Sequence, residues 1–366
     1  MVLHDAAAGS LNIRPRFHAL RVADVRRETA DCVSVAFVVP DALASSYRFT
    51  PGQYLTLRTV IDGEEVRRSY SICAAPEEAE LRVAIKRLDN GAFSAWAHAS
   101  LRAGMSLDVM TPDGRFGIPV DEGSRRTLVA VAAGSGITPI LSILGTALAR
   151  EKGRFFLLYG NRSTASIMFR ERLEDLKDRY MARLSVFHVL SREQHDVALL
   201  NGRLDSEKVG LLLDRLVPAP VAHALLCGPQ PMIEGLLAPL RARFGASRVH
   251  VERFTPGEGG RPPPLKRAPV LAAPVARATI VAEGVRREVD VAAGEAVLEA
   301  GIRAGLNLPF SCRGGMCCTC RARIVEGTAE MAVNYSLEPW EIAAGFILTC
   351  QARPTSPRLV VDYDAV

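Results

Sequence analysis

Hydrophobic and polar residues alternate with a period of two along the first third of the chain. Five segments between about residues 16 and 117 show this alternation and are separated by Pro, Gly and Asp turns: CVSVAFVV, YLTLRTV, EVRRSYSIC, ELRVAIKR and SLDVM. A short helical pattern interrupts them at residues 93–101. Successive half-buried strands joined by tight turns are typical of antiparallel sheets. The pattern predicts an antiparallel β-barrel over residues 12–122.

Continuous apolar runs then alternate with longer helical patterns. The apolar runs are TLVAVAA, RFFLLYG, RLSVFHV, HALLCG and RVHVERF, and the clearest helical segments are FRERLEDLKDRY and PMIEGLLAPLRARF. Such an alternation is typical of a parallel sheet covered by helices on both faces. The uncharged stretch 127–149 contains Gly134, Gly136 and Pro139, so we interpret it as a buried strand and a helix, not as a membrane span. Residues 123–255 are predicted to form a doubly wound α/β domain.

A proline-rich segment, TPGEGGRPPPLKRAPVLAAP, follows without any periodicity. We interpret residues 256–275 as a semi-rigid connector. After it, RATIVAE and VRREVDV predict a hairpin, AVLEAGIRAG predicts a helix and LVVDY predicts a final strand. Residues 276–366 are therefore predicted to form a small mixed domain, which makes the whole chain an α+β protein of three domains.

Composition and charge exclude some classes of function. The chain has 366 residues, of which 48% are hydrophobic and 23% charged, as in ordinary globular proteins. The net charge is +5, although residues from 276 onward carry nine basic and eleven acidic groups. No Lys/Arg run is interleaved with aromatic residues, so no nucleic-acid partner is predicted. Because residues 127–149 are interpreted as a strand and a helix, no membrane partner is predicted either. Without a charged and then apolar leader, we expect a cytoplasmic protein.

Four cysteines in the last domain have the spacing of a metal site. Cys312, Cys317, Cys320 and Cys350 form the pattern C-x4-C-x2-C…C within SCRGGMCCTC and the later FILTC. This is the spacing with which plant-type ferredoxins bind a two-iron two-sulfur cluster. The small residues between the ligands would let backbone N–H groups approach the sulfurs. Cys318 breaks the spacing, and we predict that it is not a ligand.

The same cysteines have other interpretations. A structural zinc site usually has two short pairs of ligands, whereas here three cysteines cluster and one is remote. Disulfides are unexpected in a chain whose other cysteines are spread over its length. Free thiols are the third alternative. The spacing favours an iron-sulfur cluster and therefore electron transfer.

Two polar segments of the predicted barrel are candidates for binding a cofactor. RSYS occupies residues 68–71, and IKRLDNGAFS begins at Ile85. Arginine, tyrosine and serine on a strand also occur as ordinary cross-strand pairs, so either segment alone would indicate little. The candidate residues in these segments are Arg68, Ser69, Tyr70, Ser71, Ile85, Lys86, Gly91 and Ser94.

Two glycine-containing loops follow predicted parallel strands. GSGITP places Gly134, Gly136 and Thr138 where the diphosphate of a dinucleotide would lie on a helix N-terminus, with Pro in the tolerated first turn. CGPQPM places Cys227 and Gly228 after the fourth strand. Glycine turns without a ligand, or a buried structural cysteine, would have the same pattern.

The pyridine nucleotide is indicated by the loop after the second parallel strand. YGNRSTAS offers no carboxylate to a ribose 2′-hydroxyl and has Arg162 instead. A basic residue at this place favours NADPH over NADH. NADH stays possible, because such an arginine is also a common surface residue.

In this order, the motifs resemble those of the ferredoxin-NADP reductase family. The resemblance implies that Arg68 binds the pyrophosphate of FAD, that Tyr70 packs on the flavin ring and that Ser71 lies near flavin N5. It also implies that the segment from Gly91 to Ser94 binds the phosphates. In this family the CGP loop lies where the nicotinamide approaches the flavin. The predicted catalytic residues are Ser71 and Cys227.

The domain order resembles that of reductase components of bacterial multicomponent oxygenases. GEEVRRSYSIC, CRGGMCCTC and EMAVNYSLEPWEIAAGFILTCQARP resemble reductase subunits of phenylacetyl-CoA epoxidases, whose diiron partner subunits oxidise an aromatic ring. Reductases of ketosteroid hydroxylases share the order and a similar tail. The resemblance implies an FAD-binding barrel, an NAD(P)-binding domain, a β-grasp ferredoxin domain and diiron oxygenase or epoxidase subunits as electron acceptor.

The predicted function is the transfer of electrons from NADPH through FAD and the 2Fe-2S cluster to a multicomponent oxygenase. The order of the carriers follows from their chemistry. A nicotinamide gives up two electrons as hydride, whereas an iron-sulfur cluster accepts one electron at a time, so a flavin is needed between them. FMN is the alternative flavin. Two other functions are considered: a non-enzymatic ferredoxin-type carrier, and a self-sufficient flavoenzyme that reduces its own small substrate.

Overall fold

Three main β-sheets organise the part of the chain that the structure describes. The structure is a computed structural model, and it describes residues 15–218, 220–254 and 274–365. The connector predicted at residues 256–275 lies outside the described residues, apart from its last two. The predicted domain boundaries stay predictions.

The first sheet is a six-stranded antiparallel sheet in the order β4-β3-β6-β1-β2-β5. A bridge between Ile72 and Val83 joins its two outer strands and closes it into a barrel around an apolar core. Its elements are β1 (Phe17–Thr29), β2 (Cys32–Val38), β3 (Tyr54–Ile61), β4 (Glu64–Ser71), β5 (Leu81–Lys86), helix α1 (Ala92–Ser100) and β6 (Ser106–Met110).

The longest strand of the barrel, β1, is absent from the five segments that the alternation predicted. Its register against β2 shifts between Val22 and Asp24 and again between Arg27 and Thr29. A β-bulge inserts an extra residue and changes which side chains face the core. The period of two is therefore interrupted inside β1, and the pattern could not show it.

The second sheet is parallel throughout, in the order β11-β10-β7-β8-β9. Its elements are β7 (Thr127–Ala133), α2 (Ile137–Arg150), β8 (Arg154–Asn161), α3 (Arg170–Arg179), β9 (Leu184–Leu190), α4 (Ser206–Leu216), β10 (Val221–Cys227), α5 (Gln230–Phe244) and β11 (Val249–Glu252). Helices α2 and α3 cover one face, and α4 and α5 cover the other. The strand order reverses between β7 and β10, where open α/β sheets bind their ligands.

The third sheet has the order β13-β12-β18-β14-β16, and β15 pairs separately with β17. The elements are β12 (Pro274–Ala282), β13 (Val285–Ala292), α6 (Val297–Arg303), β14 (Arg321–Glu326), β15 (Ala329–Met331), α7 (Pro339–Ala343), β16 (Phe346–Leu348), β17 (Ala352–Pro354) and β18 (Arg358–Asp362). The predicted hairpin, helix and last strand are β12, β13, α6 and β18. Together the three sheets confirm the predicted fold class.

The barrel packs closely on helix α2 of the parallel sheet. The Ser142 hydroxyl donates to the Ala74 carbonyl at 2.7 Å, and Thr146 donates to Glu77 at 3.1 Å. Cys32 and Cys73 of the barrel belong to the same apolar core as α2. The uncharged stretch 127–149 is thus a strand and a helix inside this core. Among the described residues, no helix is long and apolar enough to span a membrane.

Candidate functional site

The four candidate ligands come together from two parts of the third domain. Cys312, Cys317 and Cys320 lie on the loop between α6 and β14, which we call the cysteine loop (residues 304–320). Cys350 lies in the turn after β16. The hydroxyl of Thr349 donates to the Cys320 carbonyl at 2.8 Å, and its amide donates to the same oxygen at 3.1 Å. These two bonds fix the turn against the loop.

The thiols are arranged as two pairs. Cys317 donates a hydrogen bond to Cys312, which lowers the pKa of Cys312, and Cys320 does the same for Cys350. Within the described part of the chain, no three Cys, His, Asp or Glu side chains are grouped tightly enough to hold one metal ion. Two pairs fit a cluster in which two irons are bridged by sulfide.

Backbone amides surround the first thiol pair. The amides of Gly314 and Met316 both donate to the Cys312 sulfur at 3.4 Å, and the Cys312 amide donates to the Cys317 sulfur at 3.4 Å. Such bonds stabilise a thiolate and help to set the potential of a cluster. Cys318 is outside both pairs, and burial raises its pKa to about 11.

Strand β4 presents the RSYS residues on two faces. Arg68 is exposed, and Tyr70 packs on Phe93 of α1 with the ring centroids 5.7 Å apart. The intervening Ser69 points the other way, because its hydroxyl lies 2.7 Å from that of Ser311 in the cysteine loop. Ser71 ends the strand and is buried. An exposed guanidinium beside a half-buried aromatic ring fits the pyrophosphate and the ring of a flavin.

The second candidate segment, which begins at Ile85, lies beside RSYS because its helix α1 packs on Tyr70. The Ser94 hydroxyl donates to the Gly91 carbonyl at 3.0 Å, and a Cβ added to Gly91 would be 2.5 Å from that hydroxyl oxygen. A side chain at this position would have to displace the Ser94 hydroxyl. Ile85 is fully buried in the barrel core, whereas Lys86 lies 3.3 Å from Asp31. The structure thus brings Arg68, Tyr70 and the α1 turn together, and leaves Ile85 inside the barrel.

The two glycine loops of the parallel sheet touch each other. Gly134 has a φ of +53° and open space where its Cβ would be. A Cβ on Gly136 would be 2.2 Å from the Cys227 carbonyl oxygen and 2.8 Å from the Gly228 amide. The Thr138 hydroxyl is used within its own loop, since it donates to the Ser135 carbonyl at 2.9 Å. The two loops, which we call the glycine cradle, therefore pack backbone against backbone and leave open space at Gly134. Glycine loops at a helix N-terminus are suited to bind a diphosphate.

Two titratable residues next to this cradle, Cys227 and Glu252, have raised pKa values. The Cys227 thiol is completely buried, and burial raises its pKa well above the usual range, so it is a neutral thiol. Glu252 pairs with Cys227 across β10 and β11. Burial, with a further contribution from Cys317, raises the pKa of Glu252 to about 8. Catalytic roles for Cys227 and Ser71 stay predictions.

Arg162 lies at the carboxyl edge of the parallel sheet, two residues beyond the pairing of Gly160 with Ala133. It is exposed, and its carbonyl accepts a hydrogen bond of 2.8 Å from the amide of Arg192. Sequence reasoning missed Arg192, because it follows a different strand. It lies near Arg162 only because β8 and β9 are paired in the sheet. Two exposed arginines therefore lie side by side at the carboxyl edge of the sheet, and Arg162 follows the strand next to that of Gly134.

A cavity at the junction of the three domains is lined by the candidate ligand Cys317 and by residues that the motifs did not indicate. Tyr54 and Arg115 of the barrel, Glu252 of the parallel sheet, and Cys317 and Tyr335 of the third domain contribute to its wall. Tyr54 and Cys317 are 263 residues apart in the chain. No local pattern could have paired them.

Buried charge also joins the barrel to the third domain. Glu341 of α7 is fully buried and accepts a hydrogen bond from Arg115 of the barrel. Arg321, in its own domain, lies 2.9 Å from the same carboxylate. The third domain is thus docked with the cysteine loop against the barrel.

Comparisons with known proteins agree with this architecture. Sequence models of an oxidoreductase FAD-binding domain, an oxidoreductase NAD-binding domain and a 2Fe-2S iron-sulfur cluster binding domain match residues 19–118, 130–237 and 280–355. Phthalate dioxygenase reductase shares the fold, with a TM-score of 0.55 and 24% identity over 94% of this chain and 98% of that one.

Two curated relatives extend over nearly the whole chain. One component of the 1,2-phenylacetyl-CoA epoxidase of Escherichia coli is 43% identical over 95% of this chain and 98% of its own. The ferredoxin reductase component of the 3-ketosteroid-9-alpha-monooxygenase of Rhodococcus rhodochrous is 32% identical over 94% and 96%. The predicted resemblance is confirmed: this oxidoreductase belongs to the ferredoxin-NADP reductase family, in the form in which FAD-binding and NAD-binding domains are followed by a 2Fe-2S domain.

Proposed function

We propose that this protein takes electrons from NADPH and delivers them singly to the diiron subunits of an oxygenase, specifically an epoxidase acting on phenylacetyl-CoA. The observation that carries the proposal is the three-domain junction, where Tyr54, the end of the parallel sheet and the cysteine loop line one cavity. Tyr54 pairs with Ser71, the last residue of the candidate flavin strand. Carriers bound at these sites would be close enough to exchange electrons without a further protein.

Each domain supplies groups that suit its carrier. The exposed Arg68 would bind the pyrophosphate of FAD, and Tyr70 would cover the ring. The cradle of Gly134 and Gly136 would hold the nucleotide diphosphate, and the four cysteines would hold the cluster. When bound, FAD accepts a hydride from the nucleotide and passes single electrons to the cluster. The protein's own residues bind, orient and exclude water, and no acid-base triad is required.

The epoxidase is favoured as partner by the 43% identity over 95% of the chain. A ketosteroid monooxygenase is the second candidate, since its reductase is 32% identical over a similar length. Mixing the protein with purified diiron subunits of each kind would separate them. We expect NADPH-dependent turnover of phenylacetyl-CoA with the epoxidase subunits, and product from ketosteroid alone would contradict the assignment. Product without any added subunits would indicate a self-sufficient enzyme.

An anaerobic titration with NADPH, followed in the visible, tests the reductase itself. We expect bleaching of both a flavin and an iron-sulfur spectrum, with FAD and acid-labile sulfide released on acid treatment. Iron and sulfide without flavin would indicate a simple carrier. A protein that binds zinc but neither iron nor flavin after anaerobic reconstitution would exclude the proposal.

Arg162→Ala is expected to reduce kcat/KM for NADPH by about tenfold or more, because a charge-assisted bond to the 2′-phosphate contributes about 1.5–3 kcal/mol. The value for NADH, which lacks that phosphate, should change by less than about twofold. Steady-state kinetics with both nucleotides measure this. Arg154→Ala, at the other end of β8 and also exposed, is the matched control. Equal losses for NADPH and NADH would refute a 2′-phosphate contact.

A further inference from the structure

One barrel tyrosine reaches the backbone of a candidate cluster ligand. Tyr54, the first residue of β3, is 8% exposed. Its phenol donates a hydrogen bond to the carbonyl of Cys317, and its oxygen lies 2.9 Å from the hydroxyl of Thr319 and 3.0 Å from the carboxylate of Asp113. A phenol at the edge of one domain is thus buried among polar groups of another.

The other end of Tyr54 is fixed to the candidate flavin strand. In the β3–β4 register Tyr54 pairs with Ser71, the serine predicted to lie near flavin N5. Its amide donates to the Asp113 carbonyl at 2.8 Å and its carbonyl accepts from the Asp113 amide at 3.1 Å. The ring rests on Gly114, where an added Cβ would be 2.8 Å away. The two backbone bonds to Asp113 and the pairing of β3 with β4 therefore hold Tyr54 in one position.

We propose that Tyr54 is the positioning residue that couples the flavin site to the iron-sulfur site, by holding the Cys317 segment of the cysteine loop against the strand pair that carries Ser71. The inference rests on the proposed function. The step that it serves moves one electron from bound FAD to the bound cluster, so that the first is oxidised as the second is reduced. No bond forms or breaks, and the phenol keeps its proton.

Other contacts also hold the barrel and the third domain together, but they reach other parts of the cysteine loop. Ser69 meets Ser311, and the guanidinium of Arg67 stacks 4.0 Å over the ring of Phe310. Among the hydrogen bonds between the described parts of these two domains, only those of Tyr54 reach the segment from Cys317 to Thr319. Removing the Tyr54 hydroxyl should therefore loosen the segment from Cys317 to Thr319 without separating the domains.

Tyr54→Phe tests the proposal, with Tyr47→Phe as matched control. Tyr47 is equally buried in the barrel, at 4% exposure, but its phenol donates to the Val109 carbonyl at 2.7 Å and does not touch the cysteine loop. The first readout is amide hydrogen exchange of peptides covering residues 312–320 in the oxidised holoprotein. We expect exchange about tenfold faster in Tyr54→Phe, as the loss of a buried hydrogen bond predicts, and unchanged in Tyr47→Phe.

The second readout is a stopped-flow single turnover with NADPH. Reduction of FAD should keep its wild-type rate in both variants, whereas reduction of the cluster should slow by about tenfold in Tyr54→Phe alone. Wild-type exchange together with wild-type cluster reduction in Tyr54→Phe would overturn the proposal. An equal slowing in Tyr47→Phe would overturn it too, because the effect would then come from a loosened barrel.

Thr319→Val approaches the same contact from the other domain. It keeps the size of the side chain and removes the hydroxyl that meets Tyr54, so it should act in the same direction. Combined with Tyr54→Phe it should add little, because residues that share one contact are not additive. This variant decides the question if Tyr54→Phe does not fold. An absent cluster, or FAD that NADPH does not reduce, would instead count against the proposed function itself.

Discussion

Cys350→Ser is expected to lower the iron content from about two atoms per chain to nearly none. The substitution takes one thiolate from the Cys320–Cys350 pair, and the serine hydroxyl that replaces it is a poor ligand for iron in a sulfide-bridged cluster. The turn itself should persist, since the bonds from Thr349 to the Cys320 carbonyl do not involve the thiol. Iron and sulfide analysis and the visible spectrum measure the loss.

The flavin half of the protein should survive this change. Arg68, Tyr70 and the glycine cradle belong to other domains, so NADPH should still reduce FAD within about twofold of the wild-type rate. Electron delivery beyond FAD, to added diiron subunits, should vanish. Full retention of iron in Cys350→Ser would mean that Cys350 is not a ligand.

Cys318→Ser is the matched control, because it removes a neighbouring thiol of the same loop. Cys318 is outside both thiol pairs, half-buried and at a φ of +54°. We expect iron content and cluster spectrum within about a fifth of the wild-type values, in keeping with the small effect of substitutions that remove no ligand or partner. Loss of the cluster in Cys318→Ser would reassign the ligand set.

The predictions from sequence succeeded where the determining pattern is local. Alternation within single strands and apolar runs between helices indicated the three sheets, because side-chain period follows directly from backbone geometry. The strand β1 was missed for the opposite reason, since its bulges near Val22 and Arg27 change the period within the strand. The spacing of Cys312, Cys317 and Cys320 is likewise local, so their proximity needed no knowledge of the fold.

Features that depend on contacts between domains were invisible in the sequence. Tyr54 contacts Cys317 across 263 residues, and Arg115 meets the buried Glu341 across 226. Each belongs to a segment whose own pattern is that of an ordinary strand, loop or short helix. Arg192 lies near Arg162 only because of the register of β8 and β9. Motifs predicted the carriers, whereas the packing of the three domains could be seen only in the structure.

Gly136→Ala is expected to weaken binding of NADPH by about ten- to a hundredfold, because a displaced loop would lose a hydrogen bond to the charged diphosphate, which contributes about 1.5–3 kcal/mol. The new Cβ would be 2.2 Å from the Cys227 carbonyl oxygen and 2.5 Å from the carbonyl carbon. Neither neighbour is a flexible side chain, so the two loops must separate and the cradle must widen. Overpacking of this kind should also cost about 1–3 kcal/mol of the free energy of unfolding.

Substitutions of two other glycines are controls that distinguish the steric effect at Gly136 from the general effect of adding a methyl group. Gly134 has open space at its Cβ but a φ of +53°, so Gly134→Ala should destabilise the fold by about 1 kcal/mol and weaken binding much less than Gly136→Ala. Gly210→Ala, inside α4 and without neighbours at its Cβ, should stabilise the helix by about 0.5–1 kcal/mol and leave binding unchanged.

Nucleotide titration and thermal unfolding measure the three variants. The expected order of NADPH affinity is Gly210→Ala, then Gly134→Ala, then Gly136→Ala, because only the last methyl group forces apart the two loops between which the diphosphate would bind. If Gly136→Ala bound NADPH as tightly as Gly210→Ala, the cradle would not be the nucleotide site.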